Sequence, residues 1–500
     1  MTGNRIEKVV IIGGGTAGWM AASMLAKAFG PLLSIELVES EEIGIVGVGE
    51  ATIPQIRLVN SFLGLNEDEV LVASQGTFKL GIQFNDWLRH GHSYLHAFGE
   101  LGMPLGPLPF QHYWLRQRAA GKGADLWAYS LNSKAALSHR FARTANPAPT
   151  PPGELRYAYH FDAGLYGQYL RRYAEQRGVK RREGKVSEVR LRGEDGFIAA
   201  VALESGESLT GDLFLDCTGF RSLLLGQALE VGFDDWSEFL RCDRAIAVPC
   251  ARREPLLPYT QSSAGTAGWQ WRIPLQHRTG NGHVYCSEFM SDDEACAQLL
   301  ARLDGEALAE PRMLRFRSGM RQRLWERNCV ALGLASGFVE PLESTAIHLI
   351  QSGVARLLSL FPDRHCDPAL AAEFNRQARF EFESVRDLLV LHYRANQRAE
   401  PFWQQVRQTR PSPGLAAKIE VFRASGQIFR VHEELFTEGS WLQVLLGQGI
   451  EPLRYHPLAD ALAQAKLDEF LGNLRTLVET TLAGLPEHGR FVAEHCRAAT

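Results

Sequence analysis

The chain has 500 residues, of which 45% are hydrophobic and 22% charged, which is typical of a globular protein with a large core and more than one structural unit. Its formal net charge of −4 gives no general attraction to nucleic acid, and no run of about 18 uninterrupted apolar residues is present, so we expect neither a nucleic-acid nor a membrane partner. The eight cysteines have no C-x-x-C spacing, and no signal-like segment opens the sequence, which favours a reduced, cytoplasmic protein.

The first predicted elements are a strand, a glycine-rich turn and a helix within residues 8–29. Residues 9–12 are uniformly apolar, as in a buried parallel strand, and a helical pattern rich in alanine follows the glycines. The turn fits G-x-G-x-x-G in the setting that binds a dinucleotide, with the pyrophosphate at the helix N-terminus. The next apolar strand carries an acidic residue about twenty positions later, where a carboxylate can bind a ribose hydroxyl. The predicted contacts are Gly13, Gly15, Thr16, Ala17, Gly18 and Glu39; the alternative is a glycine-rich turn without a ligand.

Later segments favour FAD over NAD. Residues 185–219 predict a three-stranded β-meander, with turns at 193–196 and 205–206, followed by an apolar strand at 213–215. A Rossmann unit interrupted in this way resembles the FAD domain of the glutathione-reductase type. The string "NCVALGLASGF" at 328–338 resembles the last flavin-contacting strand and turn of that family, which adds Gly333 and Leu334 to the predicted FAD contacts.

The remaining pattern predicts the domain organisation. Four prolines mark a loop at residues 143–153, and amphipathic helical patterns dominate from Asp367 onward. We predict an α/β fold with a FAD-binding Rossmann domain at 1–366, which contains substrate-site segments inserted at about 85–150 and 240–310. A mainly helical substrate-binding region at 367–500 is expected to pack on this domain.

Several further strings resemble the flavin-dependent halogenases, specifically the tryptophan and indole branch. The most specific is "GWQWRIP" at 268–274, whose W-x-W-x-I-P pattern is the family's own signature. Others occur in the family's order and cover most of the chain: "GGGTAGW" (13–19), "GVGEATIP" (47–54), "GTFKLGIQFNDW" (76–87), "HAFG" (96–99), "YAYHFDAGLYGQYL" (157–170) and "FVEPLEST" (338–345). The resemblance adds Gly49 and Ala51 to the expected FAD contacts.

The resemblance implies a reaction. In this family, reduced FAD and dioxygen give a C4a-hydroperoxide that oxidises bromide or chloride to hypohalous acid, which is guided to an indole-type arene for electrophilic substitution. The sequence contains no second G-x-G-x-x-G, so we expect a separate NAD(P)H-dependent flavin reductase to supply the reduced FAD. Whether the protein is a monomer or a homodimer is left open.

Two residues match the family's catalytic pair. Lys79, in "TFKLG", matches its invariant lysine, for which two roles are open: a protonated amine would donate a hydrogen bond to hypohalous acid, whereas a desolvated, neutral amine would form a haloamine. Glu343, in "PLEST", matches a glutamate that would stabilise the charged arene intermediate or take its proton. Judged by residue type alone, Lys79 would be a solvated surface lysine, and Glu343 would cap a helix that begins near Ser344.

The halide site is expected at the same helix start. The backbone N–H groups of Thr345 and Ala346 match the family's halide ligands, and unpaired amides at a helix N-terminus suit an anion. The family pattern F-x-x-P-x-x-S-x-G is matched by Phe338, Pro341 and Ser344, but alanine replaces the glycine at 346. If that position requires a positive φ, the alanine costs about 1 kcal/mol.

The resemblance also predicts the substrate pocket and the passage that leads to it. His96 and Phe98 would line the arene pocket with Ser344 and Trp441, and stacking on an aromatic ring would orient the indole. Trp269 and Trp271 share one face of a predicted strand and would keep the arene from the flavin, although either could be a plain core residue.

The substrate is less sharply indicated. Tryptophan-specific members grip the amino-acid end with tyrosines and a glutamate, whereas residues 422–443 here contain no tyrosine. Glu433, Glu434 and Glu438 could bind an ammonium group, but the missing clamp favours indole, a substituted indole or a peptide-borne indole over free tryptophan. His90, His92 and His96 lie close in sequence, but no cysteine or clear carboxylate completes a metal site, so we predict none.

Two other functions share the FAD domain. A flavin monooxygenase that hydroxylates an arene would hold its substrate beside the flavin, which the W-x-W-x-I-P string opposes. A non-catalytic FAD protein that senses redox state would need neither Lys79 nor Glu343. A halide requirement separates the first alternative from a halogenase, and halogenated product separates the second.

Overall fold

The computed structural model describes residues 4–42, 49–143 and 154–499. The chain divides into two compact units, each assembled from three segments: Met1–Gly76, Phe161–Glu238 and Arg315–Glu383 form the first, and Thr77–His160, Phe239–Leu314 and Ser384–Thr500 form the second. The predicted insertions at about 85–150 and 240–310 fall within the second unit, whereas residues 367–383 belong to the first. Most of the proline-rich loop, and Gly47 and Val48 of "GVGEATIP", lie outside the described residues.

Strands and helices are numbered along the chain. The elements of the first unit are β1 (Lys8–Ile12), α1 (Thr16–Phe29), β2 (Ser34–Glu39), β3 (Gly49–Ala51), α2 (Ile56–Leu63), α3 (Glu67–Ala73), α6 (Ala163–Glu175), β8 (Lys180–Glu183), β9 (Val186–Leu191), β10 (Ile198–Leu203), β11 (Ser208–Thr210), β12 (Leu213–Asp216), β13 (Phe233–Asp235), β19 (Gly319–Arg321), β20 (Trp325–Glu326), β21 (Cys329–Ala331), β22 (Gly337–Phe338) and α8 (Ala346–Ser359).

The elements of the second unit are β4 (Thr77–Lys79), β5 (Gly81–Asn85), β6 (Ser93–Ala97), α4 (Phe110–Ala119), α5 (Leu131–Leu137), β14 (Arg244–Cys250), β15 (Thr260–Ala264), β16 (Gly268–Pro274), β17 (Thr279–Tyr285), α7 (Asp292–Ala301), α10 (Pro401–Arg407), α11 (Pro413–Ser425), α12 (Glu438–Gly447), α13 (Gln464–Ala483) and α14 (His488–His495). Three elements contain a boundary of the division: β7 (Ala158–Asp162), β18 (Arg312–Arg315) and α9 (Pro368–Arg394).

A six-stranded sheet forms the centre of the first unit, in the order β20-β21-β12-β1-β2-β8. Every pair except β20–β21 is parallel. The uniformly apolar residues 9–12 of β1 are fully buried in this sheet, as expected of a central parallel strand. The predicted strand, glycine turn, helix and second strand of a Rossmann unit are confirmed.

The predicted β-meander is also confirmed. Strands β9, β10 and β11 form an antiparallel sheet in chain order, and its two turns contain Gly196 (φ 70°) and Gly206 (φ 87°). Apolar side chains of β10 pack with Val10 and Phe214 of the parallel sheet into one buried cluster. The fold of this unit is therefore the predicted FAD-binding type, in which a meander precedes the strand that carries Asp216.

A seven-stranded sheet organises the second unit, in the order β18-β14-β17-β16-β15-β5-β6. The string "GWQWRIP" forms β16, as predicted, and pairs antiparallel with both β15 and β17. Strand β5 joins β15 in parallel and pairs antiparallel with β6, so two chain segments far apart in sequence complete one sheet. The named elements after residue 367 are all helices, and none of the helices in the described ranges is long and apolar enough to cross a membrane.

Candidate active site

The glycine-rich turn after β1 is packed so closely that side chains are excluded. A Cβ atom on Gly13, whose φ is 113°, would lie 2.2 Å from the Cys217 carbonyl oxygen, and one on Gly18 would lie 1.9 Å from the Gly13 carbonyl oxygen. Around Gly15, by contrast, a Cβ atom would meet nothing within 4 Å. The turn is thus held against the sheet at Gly13 and Gly18 and is open at Gly15, the residue before α1.

The N-terminus of α1 is available for an anion. Gly15 is its N-cap, no side chain caps the helix, and its first turn contains no acidic residue. Unpaired N–H groups and the helix dipole together favour a negatively charged group at this position. Thr16 places its hydroxyl within 3.4 Å of the Ala163 carbonyl, so this side chain is directed to α6.

Glu39 lies where the sequence placed it, at the end of β2 and against the glycine turn. A Cβ atom on Gly14 would be 1.7 Å from its Oε2, and that oxygen accepts a hydrogen bond from Trp19 Nε1 at 3.2 Å. Its other oxygen binds Arg171 at 3.3 Å and Arg181 at 2.5 Å. Two arginines therefore orient the carboxylate, and Oε2 retains capacity to accept from a ribose hydroxyl. The sequence did not indicate these partners.

The turn that follows β21 packs on the start of α1. Gly333 has φ 63°, and a Cβ atom there would be 2.9 Å from the Ala17 Cβ atom. The next residue, Leu334, is 38% exposed. This turn and the glycine loop therefore share one edge of the parallel sheet, where the predicted FAD contacts from both segments meet.

Strand β3 adds a titratable group between two predicted FAD contacts. Gly49 and Ala51 flank Glu50, and burial raises the pKa of the Glu50 carboxyl to about 7. This carboxyl therefore exchanges its proton near neutral pH. The sequence signal for Glu50 is an acidic residue inside the predicted cofactor-binding string "GVGEATIP", because titratable groups at such sites often have shifted pKa values.

These features fit FAD. The open Gly15 position, the uncapped α1 and the oriented Glu39 carboxylate match what a pyrophosphate and a ribose require. The close packing at Gly13 and Gly18 leaves room only for glycine at these two positions. When bound, FAD would supply the redox chemistry, and the residues described here would hold its phosphate and sugar groups.

A second uncapped helix start, that of α8, contains the residues predicted to bind halide. Glu343 ends a 3-10 turn and is 1% exposed, Ser344 has φ 60°, and Thr345 is the N-cap of α8. The proposal that Glu343 is itself an N-cap is therefore wrong, because one residue in the left-handed conformation separates its turn from the cap. The Thr345 side chain makes no capping hydrogen bond, and its buried hydroxyl has no hydrogen-bond partner among the described residues.

The backbone conformation at Ala346 decides whether this position requires glycine. This residue is the first of α8, and the positive φ of the segment belongs to Ser344 instead. A glycine at 346 is therefore not required by the backbone, and the expected strain of about 1 kcal/mol does not arise there. The alanine remains a methyl group beside the helix start.

Lys79 is fully buried, contrary to what its residue type alone suggests. Its side chain extends from the last residue of β4, is 0% exposed, and places Nζ 5.3 Å from the centre of the Phe98 ring. A cation over an aromatic face is stabilised by the ring electrons, more strongly when it is desolvated. Lys79 and the predicted pocket residue Phe98 are thus neighbours in the second unit.

A chain of buried hydroxyl and imidazole groups underlies Lys79. His160 on β7 bonds the Thr77 hydroxyl through Nδ1 at 3.0 Å and the Thr260 hydroxyl through Nε2 at 2.9 Å. Thr77 also donates to the Pro274 carbonyl at 2.7 Å. Because that hydroxyl has one proton, it must accept from His160 Nδ1–H, which leaves Nε2 to accept from Thr260.

This chain fixes the charge state next to the lysine. Burial, followed by the nearby Lys79 charge, lowers the pKa of His160 well below its ordinary value, so the imidazole is neutral. Through Thr77, the chain of hydrogen bonds connects β4, which carries Lys79, to the end of β16, and the neutral His160 adds no second cation. Sequence analysis missed His160, although it lies inside the quoted string "YAYHFDAGLYGQYL".

The two tryptophans of β16 have different surroundings. Their ring centres are 6.1 Å apart, and Trp269 packs at 6.2 Å on Trp87, which in turn contacts Trp403 at 5.3 Å. Trp269 is 1% exposed and belongs to an aromatic core. Trp271 lies across Gly282, where a Cβ atom would be 2.0 Å from its ring. Both rings are buried in the second unit, and a role of either in the passage stays a prediction.

The predicted pocket residues of β6 and α12 also come together. His96 is 4% exposed, and its ring centre is 6.2 Å from that of Phe436. Trp441, on α12, is 2% exposed and donates from Nε1 to Glu434 at 3.2 Å. Gln443 on the same helix bonds the backbone of Ala97, next to His96. Glu434 is thus an internal partner, whereas the sequence offered it to a substrate.

Each unit therefore gathers part of the predicted site. The first holds the FAD contacts with Glu343, Ser344, Thr345 and Ala346, and the second holds Lys79, His96, Phe98, Trp269, Trp271 and Trp441. Within the described ranges, no group of three or more histidine, cysteine, aspartate and glutamate side chains is arranged to hold a metal ion. His90, one of the three clustered histidines, instead contacts Glu400 at 3.2 Å.

Comparison with known proteins identifies the family to which the chain belongs. The sequence profile of the tryptophan halogenase family matches residues 8–464. Tryptophan 6-halogenase SttH from Streptomyces toxytricini is 38% identical over 95% of this chain and 96% of its own. The structure of Xcc4156, a flavin-dependent halogenase from Xanthomonas campestris, is 48% identical and aligns over 99% of both chains with a TM-score of 0.96. That of BrvH, a flavin-dependent halogenase from Brevundimonas sp. BAL3, is 45% identical over 98% of this chain and 99% of its own, with a TM-score of 0.95.

Fold and site together define an FAD-dependent enzyme that uses halide. The chain belongs to the tryptophan halogenase family, and it is a flavin-dependent halogenase. The resemblance predicted from the sequence is confirmed, and the hydroxylase and redox-sensor alternatives are not favoured.

Proposed function

We propose that this halogenase acts on a neutral indole-type arene, with Lys79 and Glu343 as its catalytic residues. The observation that carries the proposal is the complete burial of Lys79 beside Phe98. A lysine is kept in such a position only if it is well partnered, because a buried charge is costly. An arene stacked near Phe98 and His96 would bring its reacting carbon towards this ammonium group.

The roles follow from the chemistry of the side chains. When bound, reduced FAD would activate dioxygen, which supplies the oxygen atom and the oxidising equivalents that convert a halide ion to hypohalous acid. Lys79 Nζ would donate a hydrogen bond to that acid and make the halogen more electrophilic, or would carry the halogen itself. The Glu343 carboxylate would balance the positive charge of the substituted ring and accept its proton. Trp271 would separate the arene from the flavin.

The halide would bind at the start of α8. The backbone N–H groups of Thr345 and Ala346 are the candidate donors, and the buried Thr345 hydroxyl, which has no partner within residues 4–42, 49–143 and 154–499, offers a third. Three donors around a desolvated anion offset much of its lost hydration.

The proposed substrate is indole, a substituted indole or a peptide-borne indole, and free tryptophan is expected to be poorer. Residues 422–443 offer no tyrosine, and the Glu434 carboxylate is bound to Trp441 and Lys418 rather than exposed. Losing a charge-assisted contact to the substrate ammonium corresponds to about tenfold or more in affinity. Parallel reactions with indole and tryptophan at one reduced-FAD concentration test this, and a higher kcat/KM for tryptophan would refute it.

Halide preference gives a separate prediction. We expect more bromination than chlorination from an equimolar mixture, because bromide loses less hydration on entering a buried site and is more easily oxidised. Since Ala346 is not strained, Ala346→Gly should leave the product ratio within about twofold, which corresponds to a few tenths of a kcal/mol. Mass spectrometry of both products measures the ratio. A large rise in chlorination in the glycine variant would mean that the methyl group obstructs the anion.

Turnover is expected to depend on an external source of reduced FAD. The sequence contains one dinucleotide fingerprint, so we propose a separate NAD(P)H-dependent flavin reductase as partner. The purified chain with FAD and NADH alone should give no halogenated product, and addition of a flavin reductase should restore it. Product formation coupled to NADH oxidation by the chain alone would contradict the proposal. The eight cysteines, which have no C-x-x-C spacing, support the proposed cytoplasmic location.

A further inference from the structure

The second unit contains a buried ion pair beside Trp441 that no sequence pattern indicated. Lys418, on α11, donates from Nζ to both oxygens of Glu434, at 3.1 Å and 2.8 Å. Glu434 is 6% exposed, and the Lys418 side chain is 10% exposed. The same ammonium lies 4.4 Å from the centre of the Trp441 ring, so it also makes a cation–π contact.

Three hydrogen bonds engage both oxygens of the Glu434 carboxylate. In addition to the two bonds from Lys418, Oε2 accepts from Trp441 Nε1 at 3.2 Å. Lys418 is itself anchored, since it donates to the Phe429 carbonyl at 2.8 Å. The pair has no net charge, and a second cation that approached Glu434 would be repelled by the ammonium already there. Removing one partner would leave the other buried and uncompensated.

The pair lies close to the strand that carries His96. Phe436, two residues after Glu434, is 6.2 Å from the His96 ring. Gln443 accepts from the Ala97 N–H at 2.9 Å and donates to the Ala97 carbonyl at 3.1 Å, which fixes α12 against β6. A substituent on an arene stacked at His96 would therefore extend towards the segment that contains Glu434.

We propose that Lys418 is a specificity-determining residue of this halogenase. Lys418 pairs with Glu434, the buried carboxylate of residues 422–443, so this carboxylate is not available to a substrate ammonium group. The pocket then selects neutral indoles over indoles that carry an amine. The inference rests on the proposed function, because it takes the His96 side of the second unit as the arene pocket.

Charge variants of the pair test the inference with three indoles that share a ring: 3-methylindole, tryptamine and indole-3-propionate. K418M leaves Glu434 without its cation and should lower the KM for tryptamine about tenfold relative to 3-methylindole. E434Q leaves Lys418 without its anion and should lower the KM for indole-3-propionate about tenfold instead. K418M/E434Q carries neither charge and should keep the wild-type ranking. In each case kcat for 3-methylindole should change little.

The two single variants should shift the substrate preference in opposite directions, which separates an effect on selectivity from an effect on stability. If the pair is merely structural, its substitution should lower the melting temperature and slow the halogenation of all three substrates alike. That result would overturn the inference. If K418M does not fold, E434Q and the double variant still decide between the two outcomes. Halogenation of indole and of 3-methylindole by the wild-type enzyme is measured first: absence of product from both would count against the proposed function, whereas product from 3-methylindole with unchanged substrate ranking in the variants would count against Lys418 alone.

Discussion

Replacing Lys79 with alanine should reduce halogenation to background while FAD binding is retained. Lys79 places a buried amine adjacent to Phe98, and alanine leaves no group there that can bind or polarise hypohalous acid. The predicted FAD contacts at Gly13–Gly18 belong to the other unit, so the dissociation constant for FAD should change little. Product is quantified by mass spectrometry under single-turnover conditions with pre-reduced FAD, and FAD affinity by fluorescence.

Two matched variants make the result interpretable. Lys79→Met keeps an unbranched chain of similar length without the charge, and it should be as inactive as alanine with less disturbance of packing. Lys466→Ala, at a side chain that is 69% exposed, should retain wild-type activity. Near wild-type halogenation by Lys79→Ala, with the same position substituted on the ring, would remove the lysine from the mechanism.

Glu343→Gln should slow product formation by about 10²–10⁴-fold, the range typical of a positioned acid–base group. Glutamine has nearly the same shape, so it should fit the buried 3-10 turn before α8, but it neither accepts the ring proton nor balances its charge. The effect should appear in kcat, with the KM for indole nearly unchanged. Pre-steady-state measurement of product formation isolates this step.

Glu343→Asp provides the comparison for that variant. It retains a carboxylate on the same rigid turn and should recover part of the activity lost in the glutamine variant. If the aspartate and glutamine variants are equally slow, the position requires the full side-chain length. If the glutamine variant is nearly as fast as wild type, the carboxylate has no part in the rate-determining step.

The sequence predicted the parts of the fold that local patterns determine. The apolar residues 9–12, the spacing of Gly13, Gly15 and Gly18, and the acidic end of the second strand each correspond to the observed β1, α1 and β2. The alternation in "GWQWRIP" likewise predicted β16. In these places the backbone conformation depends on neighbours in sequence, so a short string is sufficient.

What the sequence could not supply depends on contacts between distant segments. Strand β5 pairs in parallel with β15, although about 180 residues separate Ile82 from Thr260, and no local pattern contains that register. The neutral state of His160 follows from its burial and from the nearby Lys79, and its hydroxyl partners Thr77 and Thr260 lie on strands that are far apart in the sequence. Lys418 and Glu434 are each ordinary charged residues in the printed sequence, and only the fold buries them together.

In the segment around Glu343, the predicted helix start is nearly correct, but the residue with the left-handed backbone conformation differs from the one expected. Sequence analysis located a helix start, and α8 begins only two residues after Ser344, the position first suggested. The left-handed conformation, however, falls on Ser344, and the expected requirement for glycine at 346 disappears with it. A motif fixes which residues are near a site, but the backbone angles decide what each substitution costs.

The most direct test of the account is a single reaction of the purified protein with chemically reduced FAD, oxygen, bromide and indole, in the presence of catalase to remove released peroxide. The account predicts a monobrominated indole that requires bromide, that is recognised by its paired bromine isotope masses, and that is absent with Lys79→Ala. A hydroxylated indole formed without bromide, or no modified indole at all while FAD is oxidised, would contradict it.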